Sequence, residues 1–195
     1  MRKVILFLIS ALCAGVLCSC SSCKKEKEVK QEANITLERT NTLDKEYMFK
    51  NYGGDYKWFE SCILLKNYLD EENDGAVSGI SNVFQVIRES GKSADVFVVL
   101  AAHTPDSTVY EVKEGFWVED CDMSKEEIKI SFKEAYDKMM TVNLPKPHSR
   151  NCVLRKQVGP KDTNPQYIFG NIQSQIYVDA ITGDVTDKNP AFPNE

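Results

Sequence analysis

Two histidines are the only imidazoles in the 195-residue chain: His103 in "AAHTPD" and His148 in "KPHSR". Nucleophilic catalysis sets a base beside its nucleophile, so His chemistry here would pair one of them with Cys121 or Cys152. A metal site would add Asp106 or Asp120, yet no HxxxH or HExxH spacing orients the two imidazoles on one element, and no cysteine pair has CxxC spacing. Both histidines fall in segments that read as loops, which makes them surface residues. "KDTNPQYIFGN" carries a glycine but no phosphate-loop or dinucleotide pattern. Lys146, Arg150, Arg155 and Lys156 concentrate positive charge in "KPHSRNCVLRKQV" and are candidates for receiving an acidic partner surface; the alternative is a strand edge blunted by charge. Near the C-terminus, "QIYVDAITGDVTDKNP" alternates so that Tyr177 and Asp179 share one strand face while Ile176, Val178 and Ala180 share the other. Val178 is expected in the core and Gly183 in a turn. Asp179 and Asp184 read as turn and edge residues, whose neutralisation should stay within about 0.5 kcal/mol. The expectation is no catalytic residue, no metal ligand and no cofactor.

The first residues say where these groups are delivered. Arg2 and Lys3 precede an apolar run from Val4 to Leu17 that is too short to span a bilayer, the pattern of a signal peptide over residues 1–19. "LCSC", Leu17 to Cys20, resembles a bacterial lipobox, which implies that Cys20 is acylated and becomes the mature N-terminus. Cys23 also follows a small residue, but the position three before it is Cys20, where the motif wants an aliphatic side chain. A lipid-anchored protein of the cell envelope follows, on the outer membrane at its periplasmic or surface face. Residues 20–46 are dominated by Lys, Glu, Gln, Asn and Thr and read as a flexible stalk. Removal of Arg2 and Lys3 takes the formal net charge from -5 to -7, and that acidity argues against a nucleic-acid partner. Cys62, Cys121 and Cys152 remain in the folded part. Their odd number excludes a fully paired framework without Cys23 and leaves one disulfide with one thiol, or three thiols, both open.

The elements that must position these residues fall into two passes, 47–124 and 125–187, followed by a tail at 188–195. In "YKWFESCILLKNYLDEEN" the residues Trp58, Cys62, Leu65 and Leu69 step by four, three and four, predicting a helix over Tyr56 to Asn73. "VFQVIRE", "ADVFVVLAAHT" and "TVYEVKEGFWVEDCDM" predict antiparallel strands. In the second pass Ser131 and Glu134 form a capping-box signature before Phe132, Ala135, Tyr136 and Met139 on one helical face. "NCVLRKQV", "PQYIFGN" and "QIYVDAITGDV" then predict three strands. Both passes read helix, strand, strand, strand, and Trp117 and Tyr177 align at an offset of 60, which predicts two tandem α+β units of helix plus three- to four-stranded antiparallel sheet.

The capped helix "SFKEAYDKM" and the closing "YVDAITGDV" resemble a PepSY-type domain over Ile128 to Val185, and the whole chain is similar to lipoproteins of Bacteroidetes-type bacteria. The PepSY resemblance implies a module that binds or restrains another envelope protein or peptide. The expected function is therefore a membrane-tethered, non-enzymatic binding or inhibitory lipoprotein whose two α+β units are PepSY-like or cystatin-like and which contacts another envelope protein or peptide. The alternative is a periplasmic accessory that takes a small molecule or metal in a pocket between helix and sheet.

Overall fold

Leucine, threonine, aspartate and methionine at Leu37, Thr40, Asp44 and Met48 step by three, four and four, one face of a helix. In the computed structural model, which describes residues 35–72, 74–90 and 93–193, these four are the buried face of α1, Leu37–Tyr52. Thr36 caps it by accepting from the Arg39 N–H at 3.3 Å, with Glu38 in the first turn and Lys50 in the last, each matched to the helix dipole. Gly53, at φ +74°, ends it. The flexible stalk expected through residue 46 is corrected here: from Ile35 the chain is packed, because half of the buried face is polar and finds its partners inside. The signal segment, Cys20 and residues 20–34 of the expected stalk lie outside the described residues.

The helix expected over Tyr56 to Asn73 is also corrected. Tyr56–Leu65 is β1: Trp58, Ile63 and Leu65 pack into the cluster under the helices and Phe59 into a separate cluster with Trp117, so side chains on both its faces are buried and a continuous apolar run serves it better than alternation. The strands that follow are β2 (Val77–Ser90), β3 (Ser93–His103), β4 (Thr108–Glu114) and the short β5 (Asp120–Cys121). Helix α2, Phe132–Thr141, starts with a complete capping box in which the Ser131 hydroxyl accepts from the Glu134 N–H and the Glu134 carboxylate accepts from the Ser131 N–H. It is followed by β6 (Asn151–Gln157), β7 (Gln166–Asn171), β8 (Ser174–Asp179) and β9 (Val185–Thr186).

The fold is α+β: two helices and one nine-stranded antiparallel sheet in the order β4-β3-β2-β1-β6-β7-β8-β9, with β5 attached to β6. Each helix is followed by strands that step outward from the centre of the sheet, and β1 pairs with β6 there, Cys62 opposite Val153. The Trp117–Tyr177 alignment does not carry over, since Trp117 lies in the linker between β4 and β5 whereas Tyr177 is in β8. One apolar cluster under the helices joins Trp58, Ile63, Phe84 and Val99 from the first pass to Tyr136, Leu154, Phe169 and Val178 from the second. A smaller one, of Phe59, Val83, Val98 and Trp117, is separate from it. The tail is tied down at Ala191, which is buried against Gly159 and whose carbonyl accepts from the Lys161 N–H. Among the described residues no helix is long and apolar enough to cross a membrane.

Candidate functional site

His103, expected on the surface, is buried in β3. Its Nε2 lies 2.9 Å from Asp44 Oδ2 and its Nδ1 3.0 Å from Thr108 Oγ1. Asn82 donates to the same Asp44 oxygen at 2.6 Å, Tyr110 donates to the other at 2.9 Å, and the Ser61 hydroxyl donates to the Asn82 carbonyl. An acid, an imidazole and a hydroxyl thus stand in the order of a nucleophilic triad, but the side chains of Asp44 and His103 are both 0% exposed. A substrate does not reach them. Their work is to satisfy a carboxylate that α1 drives into the sheet. His148 is exposed, stacked on Tyr68 at 4.2 Å with its Nδ1 3.0 Å from the Asp70 carboxylate.

The four cations singled out in the sequence do not share a free patch. Lys146 donates to the carbonyls of Met139 and Val142 at the end of α2. Arg150 donates through Nε to the Leu65 carbonyl. Lys156 bridges Glu126 and Asp162, and Arg155 faces Asp120 at 3.5 Å and Glu60 at 3.9 Å. Each charge is spent inside the chain, because loops and helix ends bring acceptors to it that sequence order does not reveal. Val178 is fully buried, and Gly183 sits at φ +78°, a conformation that side-chain-bearing residues resist, with the movable end of Lys138 beside it. Asp179 is not the lone exposed acid expected. It accepts from the Ile181 and Thr182 N–H groups and from the side chains of Asn164 and Gln166. Those hydrogen bonds outweigh its partial burial and hold its carboxyl below the usual range.

One arrangement that presents apolar side chains to solvent is built beside Arg155; Phe49 and Ile172 are exposed elsewhere. Between β4 and β5 the chain turns back over Phe59, Val83 and Val98 and plants Trp117 on them. The Trp117 N–H donates to Gln85 Oε1 at 2.8 Å, and its indole Nε1 donates to Asp120 Oδ2 at 3.1 Å. Asp120 pairs with Gln157 in the β5–β6 ladder. Three residues later the Met123 N–H reaches the Trp58 carbonyl at 2.7 Å, and Met123 lies in the larger cluster. Asp120 therefore sits where the linker enters the seam between β1 and β6. Burial pushes its carboxyl up to about 7; Arg155 opposes that and the neighbouring Glu60 adds to it. Glu60 in turn accepts from the Cys62 thiol at 2.9 Å, and burial followed by that carboxylate pushes the thiol well above its usual range. Cys152 is likewise pushed up by burial. Cys62, Cys121 and Cys152 are all free thiols.

With Trp117 turned inward, its neighbours turn outward. Phe116 is 58% exposed and Val118 57%, and Val158, just past β6 where the ladder brings the linker alongside, is 56% exposed. A linker fastened by a buried indole and carboxylate, with the half-buried Arg155 beside them, thus displays apolar side chains in water. Where exposed apolar side chains join into one patch, they mark an interaction site. Sequence inspection missed it because "FWVED" reads as one strand. The only available signal was Gly115, which breaks the alternation before Phe116.

A concavity of about 280 Å³ opens between the N-terminal ends of the helices and is lined by Leu37, Glu38, Asn41, Lys129, Glu134 and Tyr167 among others. Glu38 accepts there from the Phe132 N–H at 3.1 Å. Among the described residues no group of three or more His, Cys, Asp or Glu side chains is placed to hold a metal ion. Fold and site together define an antiparallel α+β domain with an anchored apolar display. Comparison with protein-family models, with curated proteins and with solved structures finds no match for the chain.

Proposed function

We propose that the chain is a membrane-tethered, non-enzymatic lipoprotein of the bacterial cell envelope that binds or restrains a protein or peptide partner. The observation that carries this reading is the display of Phe116, Val118 and Val158 on a fastened linker. Apolar side chains on a linker already fastened by hydrogen bonds offer a partner burial at a reduced ordering cost. The tether rests on "LCSC" and acylation of Cys20. The finer fold reading belongs here too: α1 with β1 to β4, and α2 with β6 to β9, form two tandem PepSY-like units, supported by the outward stepping of the strands on each side of the β1–β6 pair. The concavity between the helices favours a second reading, an accessory protein that takes a small molecule there.

The test is affinity capture from native envelopes with the wild-type chain and with Phe116→Ser/Val118→Thr/Val158→Thr. Both should melt alike, and the variant should recover the partner at least about tenfold less well, as expected when anchor contacts are removed. Equal recovery would exclude this surface. Loss of capture instead on filling the concavity, with Asn41→Trp, would favour the second reading. Cys20→Ala should leave the capture surface intact while releasing the protein from membranes or blocking its maturation.

A further inference from the structure

We infer that β4 is a self-pairing edge, on which a second copy of this chain docks antiparallel about a two-fold axis at Val112. Strand β4 ends the sheet on one side, and among the described residues no strand pairs with its outer flank. Its seven residues hold an unbroken register with β3 from Thr108 to Glu114, with no bulge and no proline. The opposite edge, β9, has only two residues. Of the devices that blunt an edge, shortness marks β9, whereas β4 has neither bulge nor proline and carries only charges, those of Glu111, Lys113 and Glu114, which a second copy can pair.

Which backbone groups face outward follows from two hydrogen bonds. The Thr104 N–H donates to the Ser107 carbonyl, and the Gly115 N–H donates to the Val96 carbonyl. Hydrogen-bonded and non-bonded pairs alternate along an antiparallel ladder, so Val109, Glu111 and Lys113 turn their backbone groups toward β3. Tyr110, Val112 and Glu114 turn theirs away.

A second strand must therefore pair even-numbered positions with even-numbered ones, and charge selects among the registers that remain. Centring the axis on Glu111 or on Lys113 would set two glutamates or two lysines directly opposite each other. Centring it on Val112 sets Glu111 opposite the second copy's lysine and Lys113 opposite its glutamate. Glu111 and Lys113 already lie 3.1 Å apart within one chain, so the pairing closes a square of alternating charges. Opposite charges across a pair stabilise it and like charges weaken it. In that register Tyr110, Val112 and Glu114 each find hydrogen-bond partners, and the sheet continues into the second copy. The area is that of a few strand residues, which makes the dimer weak in dilute solution. If the proposed lipid tether holds, concentration on a membrane strengthens it.

The experiment follows amide hydrogen exchange and sedimentation of the full chain in detergent across a roughly hundredfold range of concentration, as mass action requires. Protection of the Tyr110, Val112 and Glu114 amides should rise with concentration, while the Glu111 and Lys113 amides stay protected throughout. Lys113→Glu should weaken dimerisation about tenfold, and Glu111→Lys/Lys113→Glu should restore it. Val112→Pro removes an outward N–H without touching the β3 ladder and should give a folded monomer, whereas Val112→Ala should still dimerise. A monomer at every concentration, a charge swap that fails to restore pairing, or a dimer indifferent to Val112→Pro would overturn the inference. So would outward amides that gain protection only when other envelope proteins are added, an outcome that assigns the edge to a different strand. The exchange readout needs no variant and stands if Val112→Pro fails to fold. A weak dimer is compatible with loss of capture through Phe116, so this result and the test of the binding surface fail separately.

Discussion

A carboxyl group moved from water into an apolar surrounding keeps its proton to higher pH, and Asp120 does so where the linker enters the sheet. Its folded value is pushed up to about 7, against about 3.9 in an unfolded chain. Between those values the fold binds more protons than the unfolded state, so stability falls as pH rises through this window and levels off above it. We predict a loss on the order of 2–4 kcal/mol between about pH 4 and pH 7 that is absent in Asp120→Asn, checked by urea melts at a series of pH values. A parallel slope in the variant would assign the titration elsewhere. Asp179 behaves oppositely. Its lowered value means that it contributes stability above the unfolded value, lost as pH falls. Asp179→Asn turns an amide N–H₂ toward the donors of Asn164 and Gln166, so the expected cost is about 1–2 kcal/mol rather than the mild change of a surface acid. A thermal melt matching the parent would show that these hydrogen bonds carry no weight. Asp184, which accepts only from Thr182 Oγ1 among the side chains, should be the milder of the two.

Helix α1 shows why element identity was only partly legible. Its buried face reads Leu, Thr, Asp, Met, so an apolar search passes over it, although the spacing and the Thr36 cap are helical. The polar half of that face makes sense only with Asn82, His103 and Tyr110, which lie 38 to 66 residues away. Strand β1 fails for the opposite reason. Trp58, Ile63 and Leu65 fill the core under the helices, Phe59 belongs to the smaller cluster, and Glu60 is buried beside Arg155. A run apolar on both faces imitates a helix. By contrast α2 was readable, since Ser131 and Glu134 solve a local problem, the unpaired N–H groups of a helix start, with residues three apart. If Asp44 is what fixes α1, Asp44→Ala should cost about 3–5 kcal/mol by leaving buried donors without their acceptor. Denaturant melts check this, and a loss below about 1 kcal/mol would mean that α1 is held by apolar packing alone.

At the scale of the molecule β2 to β4 and β6 to β8 follow from local pattern, but β1 and the seam it makes with β6 do not. Nothing in "ESCIL" or "NCVLR" says that β1 and β6 lie side by side, since pairing depends on where the linker crosses. The same crossing makes the candidate surface, because fastening Trp117 and Asp120 inside leaves Phe116 and Val118 outside. This also explains why the basic cluster that drew notice in the sequence is occupied internally while the apolar display escaped it. The account stands on that display being where a partner sits. Its most direct measurement is site-specific photo-crosslinking in intact envelopes, with a photoreactive residue placed in turn at Phe116, Val118 and Val158 and, as controls, at the exposed Thr182 and Lys188. The account predicts one adduct of common mass from the first three positions and none of that mass from the controls. Adducts from Thr182 or Lys188 alone, or none from the linker, would contradict it.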